Sequence, residues 1–547
     1  MLLYNGDDES LLQGRKMSKN FQQSIKGVCG VILIALFVFS DQPSVYAKFV
    51  DINIQTFFLL KSIMLFVVYG LFVVSLVLVA RSHNRILKLI ILVLVSISSV
   101  YADVFYYASG KVMEYIDFVI LYQSKVNVLD ALAMYSDEIM ASLLRLCALW
   151  GGFLIMPKRA DSKSHIIGRI LSGGGGILLL LLVVFVMLVC IYRQGAATNK
   201  LPSPLSPPAL FLAYVYDNIF STHPSYNYTT TQMPSNPRKF SHIVLIVDES
   251  VRADYSSFKR LRIPKNWHII DYGNATSAAN CSHISNIMLR KGVRYNSVAQ
   301  DFYENPLIWS YALNAGYRTY LYDAQMGGRG HDFFDAKELK LIHNNISKTN
   351  IKQDFEIVDS LTYLNDETPS FTYIIKKGSH FPYAAPQEIV AEVQDSYTQD
   401  SKERVMYLKN VIYQSDMFFE ALLSRQYQQG VLFIYTSDHG QNLKDVDGLT
   451  HCSTTNPYFG EGEVPLVVIS NRILDELKNH QNENLNNASH FNIVPTILAY
   501  MGYDIEQLGY AKGASLFDRV DFVNGFFYGI PFGYFGKQPN FAKKAEK

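Results

Sequence analysis

Apolar residues crowd into the first 193 positions of the chain, where long hydrophobic runs alternate with short polar loops. A helix needs about 20 mainly apolar residues to cross the hydrocarbon core of a bilayer. Two runs meet this length outright, and three are shorter or carry a charge, yet together they leave too little polar surface for a soluble domain. The pattern therefore predicts five membrane helices, at 27–40, 62–80, 89–102, 139–156 and 170–192.

Lysine and arginine concentrate in alternate loops of this region, which predicts its orientation. They precede the first run and lie between the second and third runs and between the fourth and fifth, whereas segment 103–138 is poor in them. Residues 1–26 are therefore expected in the cytoplasm and everything after Tyr192 outside. We interpret the first run as an anchor rather than a cleaved signal peptide, because its removal would upset this alternation, and Met17 is an alternative start.

The composition changes after the fifth run. A proline-rich stretch, LPSPLSPPAL at 201–210, predicts a semi-rigid linker. We therefore divide the chain into a cytoplasmic segment (1–26), a membrane domain of five helices (27–193), a linker (194–240) and an exported globular domain (241–547).

The exported domain alternates short apolar runs with helical stretches. Runs at 242–247, 319–322, 371–375, 431–436 and 465–469 lack polar alternation, which is typical of strands buried on both faces. Helices are predicted at 404–423 and 490–501. This order predicts an α/β fold with a mainly parallel sheet flanked by helices, in which ligands bind beyond the carboxyl ends of the strands.

Composition and charge exclude several classes of protein. The formal net charge of +1 argues against a nucleic-acid binder that relies on a basic surface. Five cysteines without a C-x-x-C pair exclude a disulfide-dense scaffold and a cysteine-rich zinc module. The 49% share of hydrophobic residues excludes wholesale disorder.

Polar side chains that can bind a metal follow several of the predicted strands: Glu249, His380, Asp438 and His439. Taken singly, each is more often a helix cap or a packing residue. Together they point to a divalent, zinc-like ion, because a parallel sheet brings strand ends to one edge. A hydroxyl cluster at 277–285 precedes an apolar helical turn, where a helix amino terminus favours an anion.

Four motifs carry a resemblance to a known family. They read IVDESVRADY at 246–255, GSHFPY at 378–383, YQSD at 413–416 and YTSDHGQ at 435–441. They resemble motifs of the alkaline-phosphatase/sulfatase superfamily, most closely the membrane-bound phosphoethanolamine transferases of Gram-negative bacteria. That family also joins five membrane helices to a periplasmic catalytic domain, so the resemblance covers nearly the whole chain.

The resemblance implies a catalytic zinc ion, with a second ion left open, and the following ligands: Glu249, Ser282, Asp438 and His439. It also implies that Ser282 is the nucleophile and that His380 and His490 act in catalysis beside the transferred phosphate. His380, His451 and His490 would bind the substrate.

The nucleophile region departs from the family pattern. Serine stands where the family has threonine, and Cys281 beside it is a rival nucleophile. We favour Ser282 because a hydroxyl oxygen suits phosphoryl transfer and a hard-leaning metal site. Cys281 and Cys452 are the exported cysteines outside the membrane runs, and their spacing leaves open whether they form a disulfide.

The expected function is the transfer of phosphoethanolamine from phosphatidylethanolamine to lipid A or the lipopolysaccharide core, through a phosphoserine enzyme intermediate. The expected location is the bacterial inner membrane, with the catalytic domain in the periplasm, and we expect a monomer. Two alternatives stay open: a glycerol-phosphate transferase that acts on an envelope glycan or lipid, and a catalytically inactive sulfatase-like scaffold. Arg145, inside the fourth apolar run, marks either a lipid-headgroup site or an interface position.

Overall fold

The computed structural model divides the chain into two compact units, 1–221 and 222–547. It describes residues 7–41, 58–109, 111–123, 136–158, 165–193, 195, 201–220, 226–256, 258, 260–325, 332–347, 351, 353–380, 383, 402–427, 430–520, 523–529 and 539–544. Positions 381 and 382 of the GSHFPY motif lie outside the described residues.

The first unit is helical. Its helices are α1 (Asp7–Phe39), α2 (Phe58–Ala80), α3 (Arg85–Ser109), α4 (Tyr115–Gln123), α5 (Ser136–Ile155), α6 (His165–Tyr192) and α7 (Ser206–Phe220). Each of the five predicted apolar runs lies in one of them. Within the described residues, four helical stretches, in α1, α2, α3 and α6, are long and apolar enough to cross a membrane. The fifth, Ile139–Ile155 in α5, is shorter than that length.

The predicted linker is wrong for residues 203–220. These residues form a short 3-10 helix (Ser203–Leu205) and then α7, and they pack within the first unit. The prolines at 207 and 208 fall in the first turn of α7, where a missing N–H costs no intrahelical hydrogen bond. The prolines of this stretch therefore lie at the beginning of a helix and not in a linker.

Arg145 is the cation of a buried charge network inside this unit. Its guanidinium lies 3.1 Å from Asp41 and 2.5 Å from Asp103. Asp41 also accepts hydrogen bonds from the Tyr69 hydroxyl and from the backbone N–H and hydroxyl of Ser203. The network thus connects helices α2, α3 and α5 to the ends of α1 and of the 3-10 helix. Arg145 therefore serves packing between helices.

Replacing Arg145 by methionine should destabilise the first unit by about 3–5 kcal/mol, because two buried carboxylates lose their counter-charge. The measurement is thermal and denaturant unfolding of the purified protein in detergent. Arg85→Met, at the exposed first residue of α3, is the control and should leave the transition unchanged. Equal transitions for the two variants would contradict the structural role.

The second unit is built around a seven-stranded sheet. Its strands are β1 (His242–Asp248), β2 (His268–Thr276), β3 (Arg318–Asp323), β4 (Asn344–Ser347), β5 (Ser370–Ile375), β6 (Val431–Ser437) and β7 (Glu463–Ser470). A two-stranded sheet consists of β8 (Gly525–Tyr528) and β9 (Asn540–Lys543). The helices are α8 (Ser282–Lys291), α9 (Val298–Glu304), α10 (Ile308–Asn314), α11 (Glu356–Asp359), α12 (Lys402–Val411), α13 (Met417–Leu423), α14 (Asp475–Lys478), α15 (Gln481–Asn484) and α16 (Ile493–Tyr500).

The strand order is β2-β7-β6-β1-β5-β3-β4, with β1 in the centre. Strand β1 pairs in parallel with β5 and β6, and β3 pairs in parallel with β4 and β5. Strands β1, β5 and β6 are buried along their whole length. This confirms the α/β fold with a mainly parallel sheet, since central strands covered on both faces need continuous apolar sequence.

The structure adds details that periodicity did not predict. Strand β7 runs antiparallel to β6, and β2, a strand with several polar positions and a bulge, pairs antiparallel with β7. The helical stretch predicted at 404–423 is interrupted by a π-helical turn, Ile412–Asp416. Each of these features depends on partners distant in sequence, which local periodicity does not report.

Candidate active site

The ends of β1 and β6 bring two acidic residues together. The two strands are in parallel register, with Asp248 opposite Ser437. The chain continues into Glu249 from β1 and into Asp438 and His439 from β6. Because parallel strands end at the same edge of the sheet, all three side chains converge there.

The three side chains form a compact cluster of potential metal ligands. One ligand atom from each of Glu249, Asp438 and His439 lies within 4.8 Å of the others, and all three residues are buried. His439 Nε2 lies 3.5 Å from Glu249 Oε1 and 3.6 Å from Asp438 Oδ2. Carboxylate and imidazole ligands at this spacing suit a zinc-like divalent ion.

Neighbouring groups orient the Glu249 carboxylate. The hydroxyl of Ser250 donates to Glu249 Oε1 at 2.7 Å, and the side-chain amide of Gln325 donates to Glu249 Oε2 at 2.7 Å. Ser250 has φ 59°, a left-handed conformation that costs energy for a non-glycine residue. Its backbone N–H donates to Asp438 Oδ1 at 3.0 Å. This conformation therefore fixes both acids at once.

The tautomer of His439 is set by its backbone. His439 Nδ1 lies 2.6 Å from the carbonyl oxygen of Gly440, so Nδ1–H donates there. Nε2 is then left as a lone-pair donor that faces the two carboxylates. Metal-binding histidines commonly have this arrangement, in which a second acceptor fixes the ring and its proton.

The electrostatics of the cluster favour a cation. Burial and the nearby Glu249 carboxylate raise the pKa of Asp438 well above its usual value. Burial opposes ionisation of Glu249 as well, but His439 and His380 hold its pKa below the ordinary value, at about 2. Asp438 Oδ2 is buried and has no hydrogen-bond partner in the described part of the chain. A buried carboxylate oxygen without a hydrogen-bond partner, next to the buried Glu249, is the environment expected of a metal ligand.

Ser282 lies at the cluster, at the amino terminus of α8. Its Oγ is 3.1 Å from His439 Nε2 and 3.5 Å from Glu249 Oε1. As the first residue of a ten-residue helix, it is close to free backbone N–H groups that favour an anion. The predicted nucleophile and the three predicted acid and histidine ligands therefore meet at one place.

Cys281 is joined to Cys452 by a disulfide, which settles the pairing that the sequence left open. A cysteine in a disulfide is no nucleophile, so Cys281 is no longer a rival to Ser282. The backbone N–H of Cys452 also donates to the carbonyl of Asn280 at 2.8 Å. The bridge fastens the start of α8 to the loop that presents His451.

The three remaining predicted histidines differ in their surroundings. The ring of His451 stacks on His439 at a centroid distance of 4.4 Å, and burial lowers its pKa to about 3. His380 follows β5, and its charge helps to lower the pKa of Glu249. His490 is buried, and its ring nitrogens contact Ser285 and Thr436. The roles of His490 in catalysis and in binding the transferred phosphate stay predictions.

Two motif positions prove to be structural braces. Arg252 pairs with Asp254 at 2.7 Å and donates to the carbonyl of Gln441 at 3.0 Å, which ties the first motif to the loop after His439. In the YQSD segment, Asp416 pairs with Arg260 at 3.0 Å. Both ion pairs therefore brace segments that flank the metal cluster.

Sequence reasoning missed the buried support beneath Glu249. Asp248 Oδ2 accepts from Lys376 Nζ at 2.5 Å, from the Ser415 hydroxyl at 2.6 Å and from the Tyr435 hydroxyl at 3.0 Å. Gly378 has φ 55°, and a Cβ there would collide with Asp248 and Glu249. The need for glycine at 378 could be inferred from its place in the GSHFPY motif. No sequence pattern indicated the contacts of Lys376 and Gln325.

One protein-family model matches most of the second unit. Residues 241–503 match the protein-family model described as Sulfatase. The matched residues span most of the second unit, and the match agrees with the resemblance of the sequence motifs. No curated protein matches the sequence.

Two solved structures are similar to this chain. The integral membrane protein lipooligosaccharide phosphoethanolamine transferase A (EptA) from Neisseria meningitidis is 14% identical with a TM-score of 0.54, over 87% of this chain and 97% of that one. The C-terminal periplasmic domain of EcEptC from Escherichia coli is 15% identical with a TM-score of 0.45, over 59% of this chain and 96% of that one. At 14% identity, the similarity to EptA establishes a shared fold.

Replacing Gln325 by alanine should weaken zinc binding by about 10- to 100-fold, because Glu249 loses the donor that orients it. Competition with a chromophoric chelator on the metal-stripped protein measures the dissociation constant. Gln300→Ala, an exposed glutamine on α9, is the matched control. An unchanged affinity in Gln325→Ala would contradict its orienting role.

Replacing both Cys281 and Cys452 by alanine should lower the free energy of unfolding of the second unit by about 2–5 kcal/mol, because the bridge closes a long loop. The two cysteines are 171 residues apart. Denaturant unfolding followed by near-UV circular dichroism reports the change. Cys147→Ala, at a free exposed cysteine, should have no such effect, and equal midpoints for all three proteins would refute the prediction.

Proposed function

We propose that this protein transfers phosphoethanolamine from phosphatidylethanolamine to a cell-envelope glycolipid, lipid A or the lipopolysaccharide core, through a phosphoserine intermediate on Ser282. The observation that carries the proposal is the position of the Ser282 hydroxyl, 3.1 Å from His439 Nε2 in a cluster with an orphaned Asp438 oxygen. The sulfatase-family domain and the fold shared with EptA support it.

Zinc is the proposed cofactor, held by Glu249, Asp438, His439 and the Ser282 oxygen. A bound zinc ion would lower the pKa of the serine hydroxyl and offset charge on the phosphoryl oxygens. The zinc titration of the metal-stripped protein also gives the number of zinc ions bound per chain. His451, stacked on His439, is proposed to face the substrate.

The first half of the reaction loads the enzyme. The Ser282 hydroxyl gives its proton to water, its oxygen forms a bond to the phosphorus of the donor, and the bond from phosphorus to the diacylglycerol oxygen breaks. Diacylglycerol leaves with a proton, for which we propose His380 as the donor, since it is half-buried in the segment that follows β5. The amino terminus of α8 supplies backbone N–H groups for the phosphoryl oxygens.

The second half unloads it. An acceptor oxygen attacks the phosphorus, the bond between phosphorus and Ser282 breaks, and the serine regains a proton as the acceptor loses one. The chain carries long apolar helices besides this domain, so it shares a membrane with lipid donors and acceptors.

The bacterial inner membrane is the proposed location, with the second unit in the periplasm. The Cys281–Cys452 disulfide supports this side, since disulfides persist in oxidising compartments. A single chain holds every residue named, so the proposal needs a monomer only.

The test uses the full-length protein in vesicles. With phosphatidylethanolamine and zinc, we expect release of diacylglycerol and, on the peptide that contains Ser282, the added mass of phosphoethanolamine. Ser282→Ala should abolish both, whereas Ser424→Ala, at an exposed serine, should retain both.

The same assay separates the alternatives. Vesicles of phosphatidylglycerol offer glycerol phosphate instead, and faster loading from them would favour the glycerol-phosphate transferase. Absence of loading from either lipid, with zinc bound, would contradict the proposal and favour an inactive scaffold. Loading that survives Ser282→Ala would overturn the nucleophile.

A further inference from the structure

His490 lies where three elements of the second unit meet. It begins a one-turn 3-10 helix, His490–Asn492, that leads into α16. The preceding Ser489 and Asn492 cap this turn, with the Ser489 backbone N–H donating to Asn492 Oδ1 at 2.8 Å. The backbone N–H of Thr276 donates to the carbonyl of Ala488 at 3.1 Å, which joins the turn to β2. The backbone of His490 is therefore fixed before its ring makes any contact.

Both ring nitrogens of His490 are used inside the protein. Nδ1 lies 3.2 Å from the hydroxyl oxygen of Ser285, and Nε2 lies 2.9 Å from that of Thr436. The residue is 2% exposed. Each ring nitrogen therefore has a partner within the fold.

The hydrogen bonds around His490 form a chain in which each group donates to the next. The Thr436 hydroxyl lies 3.3 Å from the carbonyl of Ser437, which can only accept. If Thr436 donates there, His490 Nε2–H donates to Thr436, and Nδ1 accepts from the Ser285 hydroxyl. This assignment satisfies every group with a neutral imidazole. Burial lowers the pKa of His490 to about 3, in agreement with a neutral ring.

We propose that His490 is a positioning residue that fixes the Ser282 hydroxyl relative to Asp438 and His439. Ser285 is three residues after Ser282, in the first turn of α8, and Thr436 is two residues before Asp438 on β6. The imidazole thus bridges the helix that carries the nucleophile and the strand that delivers the ligands. The catalytic consequence of this bridge rests on the proposed function.

Loss of the ring would leave the buried Ser285 hydroxyl without its acceptor and the Thr436 hydroxyl without one of its two partners, and would free the start of α8 to shift. A displacement of about 1 Å at the reacting atoms costs on the order of 10²-fold in rate. Because His490 does not touch the substrate in this arrangement, the loss falls on kcat, and KM for the donor changes little.

The test measures transfer by the full-length protein in phosphatidylethanolamine vesicles. His490→Ala should lower kcat by on the order of 10²-fold, and Ser285→Ala should lower it in the same direction. The combination Ser285→Ala with His490→Ala should be no worse than His490→Ala alone, because both changes remove one bridge. His490→Asn, which keeps a polar group toward Ser285, should restore part of kcat with an unchanged pH profile.

The chain offers a matched control in His242. This histidine is also buried with both ring nitrogens bonded, to Ser370 at 2.8 Å and to the carbonyl of Asp366 at 3.1 Å, but it lies at the opposite end of β1. His242→Ala should lower stability while the folded enzyme keeps its kcat. A purely structural role for His490 would give the same result as His242→Ala and would overturn the proposal.

A second measurement does not depend on activity. Hydrogen exchange of the backbone amides at 285–289 should accelerate in His490→Ala and stay unchanged in His242→Ala. If the wild-type protein transfers nothing while this exchange difference is present, the proposed function fails and the bridge stands. Unchanged exchange in His490→Ala, or a raised KM with kcat kept, would overturn the positioning role and favour direct substrate contact.

Discussion

The organisation of the second unit depends on two acidic side chains buried side by side at one edge of the sheet. Water is excluded from Glu249 and Asp438, and ionising both without a counter-charge is costly. The pKa values of the pair diverge accordingly, with that of Asp438 raised and that of Glu249 lowered. A divalent cation would resolve this conflict, and His439 and the Ser282 hydroxyl lie beside the pair.

The fold supplies the rigidity that such a pair requires. Parallel register between β1 and β6 sets the separation of the two acids, and buried hydrogen bonds to Asp248 hold the end of β1 from below. Ser282, the proposed nucleophile, begins α8, and this end of the helix is held by the Cys281–Cys452 bridge and by contacts of Ser285. Independent elements thus converge on one point, and each is fastened to its neighbour by a specific bond.

The sequence predicted those parts of the molecule that short stretches encode by themselves. Apolar runs predicted the helices and the central strands, and residues directly after strands predicted Glu249, Asp438 and His439, because strand ends meet at one edge. The resemblance to the family motifs predicted Ser282. The role of Gln325, the partners of His490 and strand β2 depend on contacts across the fold, which no local pattern reports. The prolines at 207 and 208 led to the wrong prediction of a linker, because proline disrupts the middle of a helix but is tolerated in its first turn.

Zinc-edge anomalous diffraction from crystals of the zinc-loaded protein tests the central claim most directly. The account predicts a peak bonded to Glu249, Asp438, His439 and the Ser282 oxygen, with ligand distances of about 2.0–2.2 Å. A zinc ion elsewhere in the second unit, or one bound to the acids with the Ser282 side chain turned away, would contradict it.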